Sequence, residues 1–163
     1  MENMEFVPAF ARWIHFLAGI TWIGLLYYFN LVQTPAMKDA TADGTAAGIS
    51  KHIAPRALLW FRWAAVVTWL AGAALLGPNF VPAFTLQPEF AGIGIGAWLG
   101  TIMLFNVWVM IWPNQQKILG MKPATDDEKA KARRVALLAS RTNTMLSIPL
   151  LFFMATGLSH PIV

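Results

Sequence analysis

The sequence has no cysteine and little charge. The absence of cysteine excludes disulfides, thiolate zinc sites, iron–sulfur clusters and covalently attached c-type haem within these 163 residues. Only 12% of the residues are charged, which is about half the usual share in soluble domains. The chain is instead 57% hydrophobic. This balance indicates a protein of the lipid bilayer rather than a soluble domain.

Four stretches are apolar enough to cross a membrane, which takes about 20 residues of helix. They run over 7–32, 57–76, 90–112 and 135–158. We predict a single transmembrane domain over 1–163, with an all-α fold: an integral membrane four-helix bundle of up-down topology. Pro113 is expected to end the third helix, and 34–50 to form an irregular loop. Thr125-Asp-Asp-Glu128 is typical of a capping box, so the fourth helix is expected to begin near Asp126.

The basic residues are concentrated in two of the three loops. Of the 12 Lys and Arg residues, only Arg12 lies on the side of the amino terminus, and the middle loop, 77–89, has none. By the positive-inside rule, the first and third loops face the cytoplasm and both termini face out. These loops are short and contain interspersed acidic residues, so the net charge of +4 indicates topology rather than nucleic-acid binding.

His15 is the polar residue that most strongly suggests a cofactor, because a polar group inside a bilayer is costly. It lies about two turns into the first span, on one helical stripe with Gly19 and Trp22. An imidazole one turn from a glycine, with an aromatic ring further along, suits a flat macrocycle. Haem iron accepts a neutral histidine nitrogen, so we predict b-type haem bound by His15, Gly19 and Trp22. The alternative is a histidine hydrogen-bonded to a neighbouring helix.

Two other histidines could supply a second ligand to the haem iron. His160 falls on the same outer side as His15 and is the preferred partner. His52 lies in the first loop, more than half a membrane away, and is the alternative. A single histidine ligand, or a pair formed across an oligomer, also remains open.

A second group of polar residues lies at the cytoplasmic ends of the predicted helices. Arginine with side-chain amides can bind a planar, anionic, hydrogen-bonding molecule. The alternative is that the arginines reach the membrane interface and the amides cap helices. The predicted substrate-binding residues are Arg62, Asn114, Gln115, Arg141 and Asn143. No catalytic residue is assigned.

Two further predictions concern helix packing. Asn106 lies near the middle of the third span and is expected to hydrogen-bond to another helix. The glycines at 92, 94, 96 and 100 lack a preceding strand and are expected to allow close helix packing rather than dinucleotide binding.

Three segments resemble the membrane-bound urate oxidase (urate hydroxylase) family. They are Arg-Trp-Ile-His-Phe-Leu-Ala-Gly-Ile-Thr-Trp-Ile-Gly at 12–24 with Tyr-Tyr-Phe-Asn at 27–30, Asn-Val-Trp-Val-Met-Ile-Trp-Pro-Asn-Gln-Gln-Lys at 106–117, and Ser-Arg-Thr-Asn-Thr-Met-Leu-Ser-Ile-Pro at 140–149. The resemblance implies the membrane domain of that family, oxidation of urate to 5-hydroxyisourate, and transfer of electrons to a c-type cytochrome. Family enzymes carry a larger membrane domain and a fused cytochrome c domain. This sequence has about half the expected spans and no Cys-x-x-Cys-His, so we expect a short stand-alone version.

We therefore predict a membrane redox protein that binds b-type haem and passes electrons to a partner such as a c-type cytochrome. Two alternatives stay open: a cofactor-free accessory subunit of a larger membrane complex, and a urate-oxidising enzyme that is active as an oligomer. The expected location is the inner (cytoplasmic) membrane of a bacterium, with both termini outside. A homo- or hetero-oligomer is expected there, without nucleic acid.

Overall fold

The computed structural model describes residues 3–156 and the side chains of 7–156. Within that part, four helical stretches, α1 to α4, are long and apolar enough to cross a membrane. They are Val7–Ala42, Ala46–Phe84, Pro88–Ile118 and Asp126–Thr156. Their regular α-helical segments are Asn3–Tyr27, Thr34–Ala42, Ala46–Gly48, Ala54–Leu76, Phe80–Phe84, Ala91–Phe105, Trp112–Ile118 and Asp126–Thr156, with short 3₁₀ turns at Gly77–Asn79 and Pro88–Phe90. The all-α prediction is confirmed.

Three of the helices widen just before a proline. The wide, π-helical segments are Tyr28–Gln33, Ile49–Ile53 and Asn106–Ile111. Each ends two residues before a proline: Pro35, Pro55 and Pro113 respectively. Proline has no backbone N–H and its ring collides with the preceding turn, so an inserted residue lets the helix pass it without breaking. The prediction that Pro113 ends the third helix is therefore wrong, because the helix continues to Ile118.

The ends of the first and fourth helices differ in how well the sequence predicted them. The expected irregular loop over 34–50 is largely helical, because α1 runs on to Ala42 and α2 begins at Ala46. The predicted capping box at the start of α4 is confirmed. The backbone N–H of Thr125 donates to Glu128 Oε2 at 2.9 Å, and the backbone N–H of Glu128 donates to Thr125 Oγ1 at 3.2 Å.

The four helices form an antiparallel ring in which α1 packs mainly on α2 and α3 mainly on α4, with smaller α2–α3 and α1–α4 contacts. Pairs of residues show the alternating direction: Phe29 contacts Phe61 across α1 and α2, and Trp63 contacts Trp108 across α2 and α3. The core consists of large apolar side chains near the middle of the bundle. Its fully buried members include Leu26, Phe61, Met103 and Val107. We call the end that carries the first and third loops the basic end, and the other the opposite end.

At the opposite end, the chain folds back against α3. Gly77 adopts a positive φ of 50° and ends the long regular segment of α2. The short helix Phe80–Phe84 then packs on α3 so closely that a Cβ at Gly94 would lie 2.1 Å from the carbonyl oxygen of Ala83. Gly96 and Gly100 likewise sit against α4 side chains. The predicted packing role is confirmed for Gly94, Gly96 and Gly100, and it stays a prediction for Gly92.

Candidate functional site: a cavity beside His15

A cavity of about 530 Å³ lies toward the opposite end of the bundle. Its walls come mainly from α1 and α2, with contributions from the short helix and from α3 and α4. The volume falls within the range of about 300–1,000 Å³ that is common for small-molecule sites. Few of its lining residues are polar or carry a polar group. They include Arg12, His15, Trp22, Tyr27, Thr68 and Trp69.

His15 is held in the cavity wall by a hydrogen bond to the neighbouring helix. Its Nδ1 lies 2.8 Å from the backbone carbonyl oxygen of Thr68. A carbonyl oxygen can only accept, so Nδ1 carries the proton. In a neutral imidazole this leaves Nε2 with a lone pair. A carbonyl partner of this kind commonly orients histidines that bind metals through the other nitrogen. His15 therefore meets both readings of the sequence: it is bonded to a neighbouring helix, and it keeps a ligand nitrogen.

Two glycines lie near the imidazole, and close packing against His15 requires only one of them. A Cβ at Gly72 would lie 2.9 Å from His15 Cε1 and 3.2 Å from Nδ1, so any larger residue would displace the ring. Gly19, one turn along α1 from His15, lines the same cavity. A Cβ there would be in ordinary contact with Thr68, at 3.7 Å. Gly72 is thus the glycine that the position of His15 requires, and the sequence did not single it out.

Two tryptophans of the cavity wall differ in their hydrogen bonding. Trp69 donates from Nε1 to Thr101 Oγ1 at 2.9 Å. Trp22 is only 2% exposed, and its Nε1 has no hydrogen-bond partner within the described part of the chain. A buried donor without a partner is costly. Trp22 Nε1 also has almost no accessible surface, so this unpaired donor is enclosed within the cavity wall.

Polar side chains connect the cavity to the inside of the bundle. Tyr27 lines the cavity, and its hydroxyl lies 3.0 Å from Ser147 Oγ on α4. Two turns nearer the basic end of α4, Ser140 Oγ accepts from Asn30 Nδ2 at 2.7 Å. These bonds tie α1 to α4 on the side away from α2.

Asn106 and Asn143 join α3 to α4. Asn106 Nδ2 donates to Asn143 Oδ1 at 2.9 Å, and Asn143 Nδ2 donates to the carbonyl of Met103 at 3.0 Å. Asn143 has no exposed surface. The expectation that Asn106 bonds to another helix is confirmed.

The structure separates the five residues that the sequence grouped as substrate-binding. Asn143 is enclosed between α3 and α4, whereas Arg141, two residues away, is exposed. Asn114 donates to the carbonyl of Met110 in its own helix. Arg62 lies with its guanidinium carbon 3.7 Å from the centre of the Trp112 ring. None of these residues, nor half-buried Gln115, lines the His15 cavity.

The other histidines lie apart from the cavity. His52 is exposed in the π-helical segment at the basic end, where its carbonyl accepts from Arg56. His160 lies outside the described residues, so its role as second ligand stays a prediction. Within the described part, no group of three or more His, Cys, Asp or Glu could hold a metal ion. A single-histidine haem ligand does not depend on such a group.

The urate oxidase N-terminal family model matches two overlapping segments, 2–88 and 79–160, which together cover nearly the whole chain. The chain belongs to that family. The sequence resemblance to urate oxidases is thereby confirmed at the level of the family. No curated protein and no solved structure matches the chain.

The two matches reveal an internal repeat that was not predicted from the sequence. In this family member, residues 22–30 and 98–106 both read Trp-x-Gly-x₄-Phe-Asn, and residues 57–62 and 136–141 both read Ala-Leu-Leu-x₂-Arg. The first pattern pairs α1 with α3, and the second pairs α2 with α4. His15 has no counterpart at the matching position, which is Ala91. The repeated helix pair therefore carries a histidine at this position only in its first half.

Proposed function

We propose that this member of the urate oxidase N-terminal family is a membrane redox protein that holds b-type haem in the His15 cavity. The observation that carries the proposal is the hydrogen bond from His15 Nδ1 to the carbonyl of Thr68. It leaves Nε2 as a ligand nitrogen in the wall of a cavity of suitable size.

The residues around the cavity fit a flat macrocycle. Gly19 presents no side chain one turn from the ligand, and the ring of Trp22 lies in the same wall. Arg12 lies in the wall near the start of α1, where a carboxylate could pair with it. Haem in such a site would supply one-electron transfer. His160 remains the proposed second ligand.

The proposed setting is the inner membrane of a bacterium, with the cavity in the outer half of the bilayer. Four helices of sufficient length and the concentration of Lys and Arg in the first and third loops support this orientation. Electrons would then be exchanged with a partner on the outer side, such as a c-type cytochrome. These 163 residues contain no cysteine, so a covalently bound haem would lie outside them.

The test is an absorption spectrum of the detergent-purified protein, oxidised and then reduced with dithionite. We expect a Soret band and a reduced α-band of the b type. The His15→Ala protein should lose both bands, whereas His52→Ala, which alters an exposed histidine far from the cavity, should keep them. A wild-type spectrum without visible bands, from cells that make haem, would contradict the proposal. That result would favour a cofactor-free accessory subunit of a larger complex.

The His160→Ala protein tests the second ligand separately. If His160 coordinates the iron, this variant should keep haem but change from a six-coordinate, low-spin spectrum to a high-spin one. An unchanged spectrum would mean that the iron has another second ligand or none from this chain.

Urate oxidation by an oligomer is the second candidate, and the family match is the observation that favours it. Of the predicted substrate residues, Arg141 is exposed and could meet an anion, whereas Asn143 is fully enclosed. Purified protein should reduce added cytochrome c when urate is supplied, and Arg141→Gln should weaken that activity. Haem binding without urate-dependent reduction would leave an electron carrier and exclude the enzyme.

A further inference from the structure

A groove on the surface of the bundle runs between α2 and α3 and adjoins the His15 cavity at Trp69, which lines both. Its volume is about 420 Å³ and its walls are almost entirely apolar. Its lining includes Val66, Trp69, Thr101, Leu104 and Trp108. The hydrogen bond from Trp69 to Thr101 lies at the deep end, toward the middle of the bundle.

Arg62 does not line the groove itself but lies one helical turn beyond Val66, nearer the basic end. Its guanidinium stacks on Trp112 of α3 at 3.7 Å, which fixes the charge between the two helices that form the groove. Arg62 is only partly exposed, and within the described residues it has no hydrogen-bond or ion-pair partner. The predicted spans contain no Asp or Glu that could neutralise it.

Trp108 forms part of the groove wall. It lines the groove, and its ring packs edge-on against Trp63 with 5.4 Å between the ring centres. Its Nε1 is enclosed and has no hydrogen-bond partner among the described residues, so this wall presents only apolar surface to the groove.

The groove therefore has an apolar length, with one cation next to its basic end. We propose that it binds one anionic phospholipid. An acyl chain would lie along Val66 and Leu104, and the headgroup phosphate would pair with Arg62. A charged headgroup suits this end, because Arg62 brings a positive charge that nothing in the described chain compensates. This proposal is independent of haem.

The experiment is native mass spectrometry of the delipidated protein in detergent, titrated with phosphatidylglycerol or with phosphatidylcholine of the same acyl chains. We expect one phosphatidylglycerol to bind about tenfold more tightly than phosphatidylcholine, as an added charged hydrogen bond allows. Arg62→Gln should remove that preference. Arg133→Gln, which alters an exposed arginine at the same end of the bundle, should retain it.

A further variant keeps the test decisive if Arg62→Gln fails to fold. Arg62→Lys retains the charge and should retain most of the preference. Equal binding of the two lipids, or equal loss in Arg62→Gln and Arg133→Gln, would overturn the proposal. Displacement of the lipid by millimolar glycerol phosphate would also overturn it, since the site would then recognise a soluble anion.

Discussion

The imidazole of His15 on α1 donates a hydrogen bond to the backbone carbonyl of Thr68 on α2, 2.8 Å away. The hydroxyl of Thr68 itself donates to the carbonyl of Ala64 at 2.7 Å, so it does not compete for the imidazole. One turn further along α2, Gly72 leaves the space that the ring occupies. The position of His15 therefore depends on the backbone of α2 as much as on its own helix.

Substitution of Gly72 should displace His15. In Gly72→Ala the added Cβ would lie 2.9 Å from Cε1 of a ring that is fixed by its hydrogen bond. We expect destabilisation by about 1–3 kcal/mol, as for other overpacked interiors, together with loss or alteration of the haem spectrum. Thermal unfolding and absorption spectroscopy measure the two effects.

Gly48→Ala is the matched control for that substitution. Gly48 is also helical, and nothing lies within 4 Å of the position of its Cβ. It should be neutral or slightly stabilising, because alanine is favoured over glycine in helices. If Gly72→Ala and Gly48→Ala behaved alike, the close contact between α2 and His15 would not exist in the protein.

The hydrogen bond between Asn106 and Asn143 should contribute measurably to stability. Asn143→Ala removes two hydrogen bonds and leaves Asn106 and the Met103 carbonyl without their partner. We expect a loss of about 1–2 kcal/mol, at or above the values common for interhelical bonds in membranes. Unfolding in mixed detergents can measure it. In a double-mutant cycle with Asn106→Ala, the two losses should not add; simple additivity would show that the bond contributes nothing.

The sequence predicted the parts of this fold that depend on composition and short spacing. Apolar length gave the four helices, and Thr125 with Glu128 gave the start of α4, because both signals lie within a few residues. Proline was a less reliable signal for the end of a helix. Pro113 was expected to end a helix, but the widened turn before it lets α3 continue.

The candidate site was predictable only in part. His15 was identified because a titratable group inside a span is rare. Its bond to Thr68 joins residues 53 positions apart, and the need for Gly72 follows only once the two helices are placed together. Asn143 shows the opposite error: its residue type suggested a ligand site, but tertiary packing encloses it and uses its polar groups within the bundle.

The turn between α1 and α2 gives a prediction for pH. Asp43 Oδ1 accepts hydrogen bonds from the Thr45 hydroxyl at 2.6 Å and from the Thr45 backbone N–H at 3.0 Å. These bonds favour the ionised carboxylate and lower the pKa of Asp43 below its ordinary value. The turn is therefore stabilised above the ordinary carboxyl pKa, and the stabilisation is lost as pH falls through the lowered value.

Carboxyl NMR titration can check the pKa of Asp43 directly. In Thr45→Ala the pKa should rise toward its ordinary value, because the hydroxyl is the largest cause of the shift. Thr41→Ala is the control, since the Thr41 hydroxyl bonds the carbonyl of Met37 and not Asp43. An Asp43 pKa that is the same in all three proteins would show that the turn does not form in solution.

Trp22 and Trp69 line one cavity but should differ in how much stability is lost when phenylalanine replaces them. Trp69→Phe breaks the bond to Thr101 and should destabilise the protein whether or not the cavity is filled. Trp22→Phe removes a buried donor that has no partner in the described chain. Relief of that unpaired donor, worth about 1–3 kcal/mol, should offset much of the lost apolar contact. Ligand-free Trp22→Phe should therefore be nearly as stable as the wild type.

Adding haem should separate the two variants further. Trp22 Nε1 is enclosed, so a ligand can accept from it only if the cavity wall rearranges on binding. In that case the wild type gains a hydrogen bond that Trp22→Phe cannot make. Haem should then raise the thermal midpoint of Trp22→Phe by less than that of the wild type. Trp69→Phe should show nearly the full rise, because its lost bond is internal to the protein. Equal increases in Trp22→Phe and the wild type would mean that the unpaired indole faces no acceptor on the ligand. The cavity would then hold its occupant through His15 and apolar contact alone.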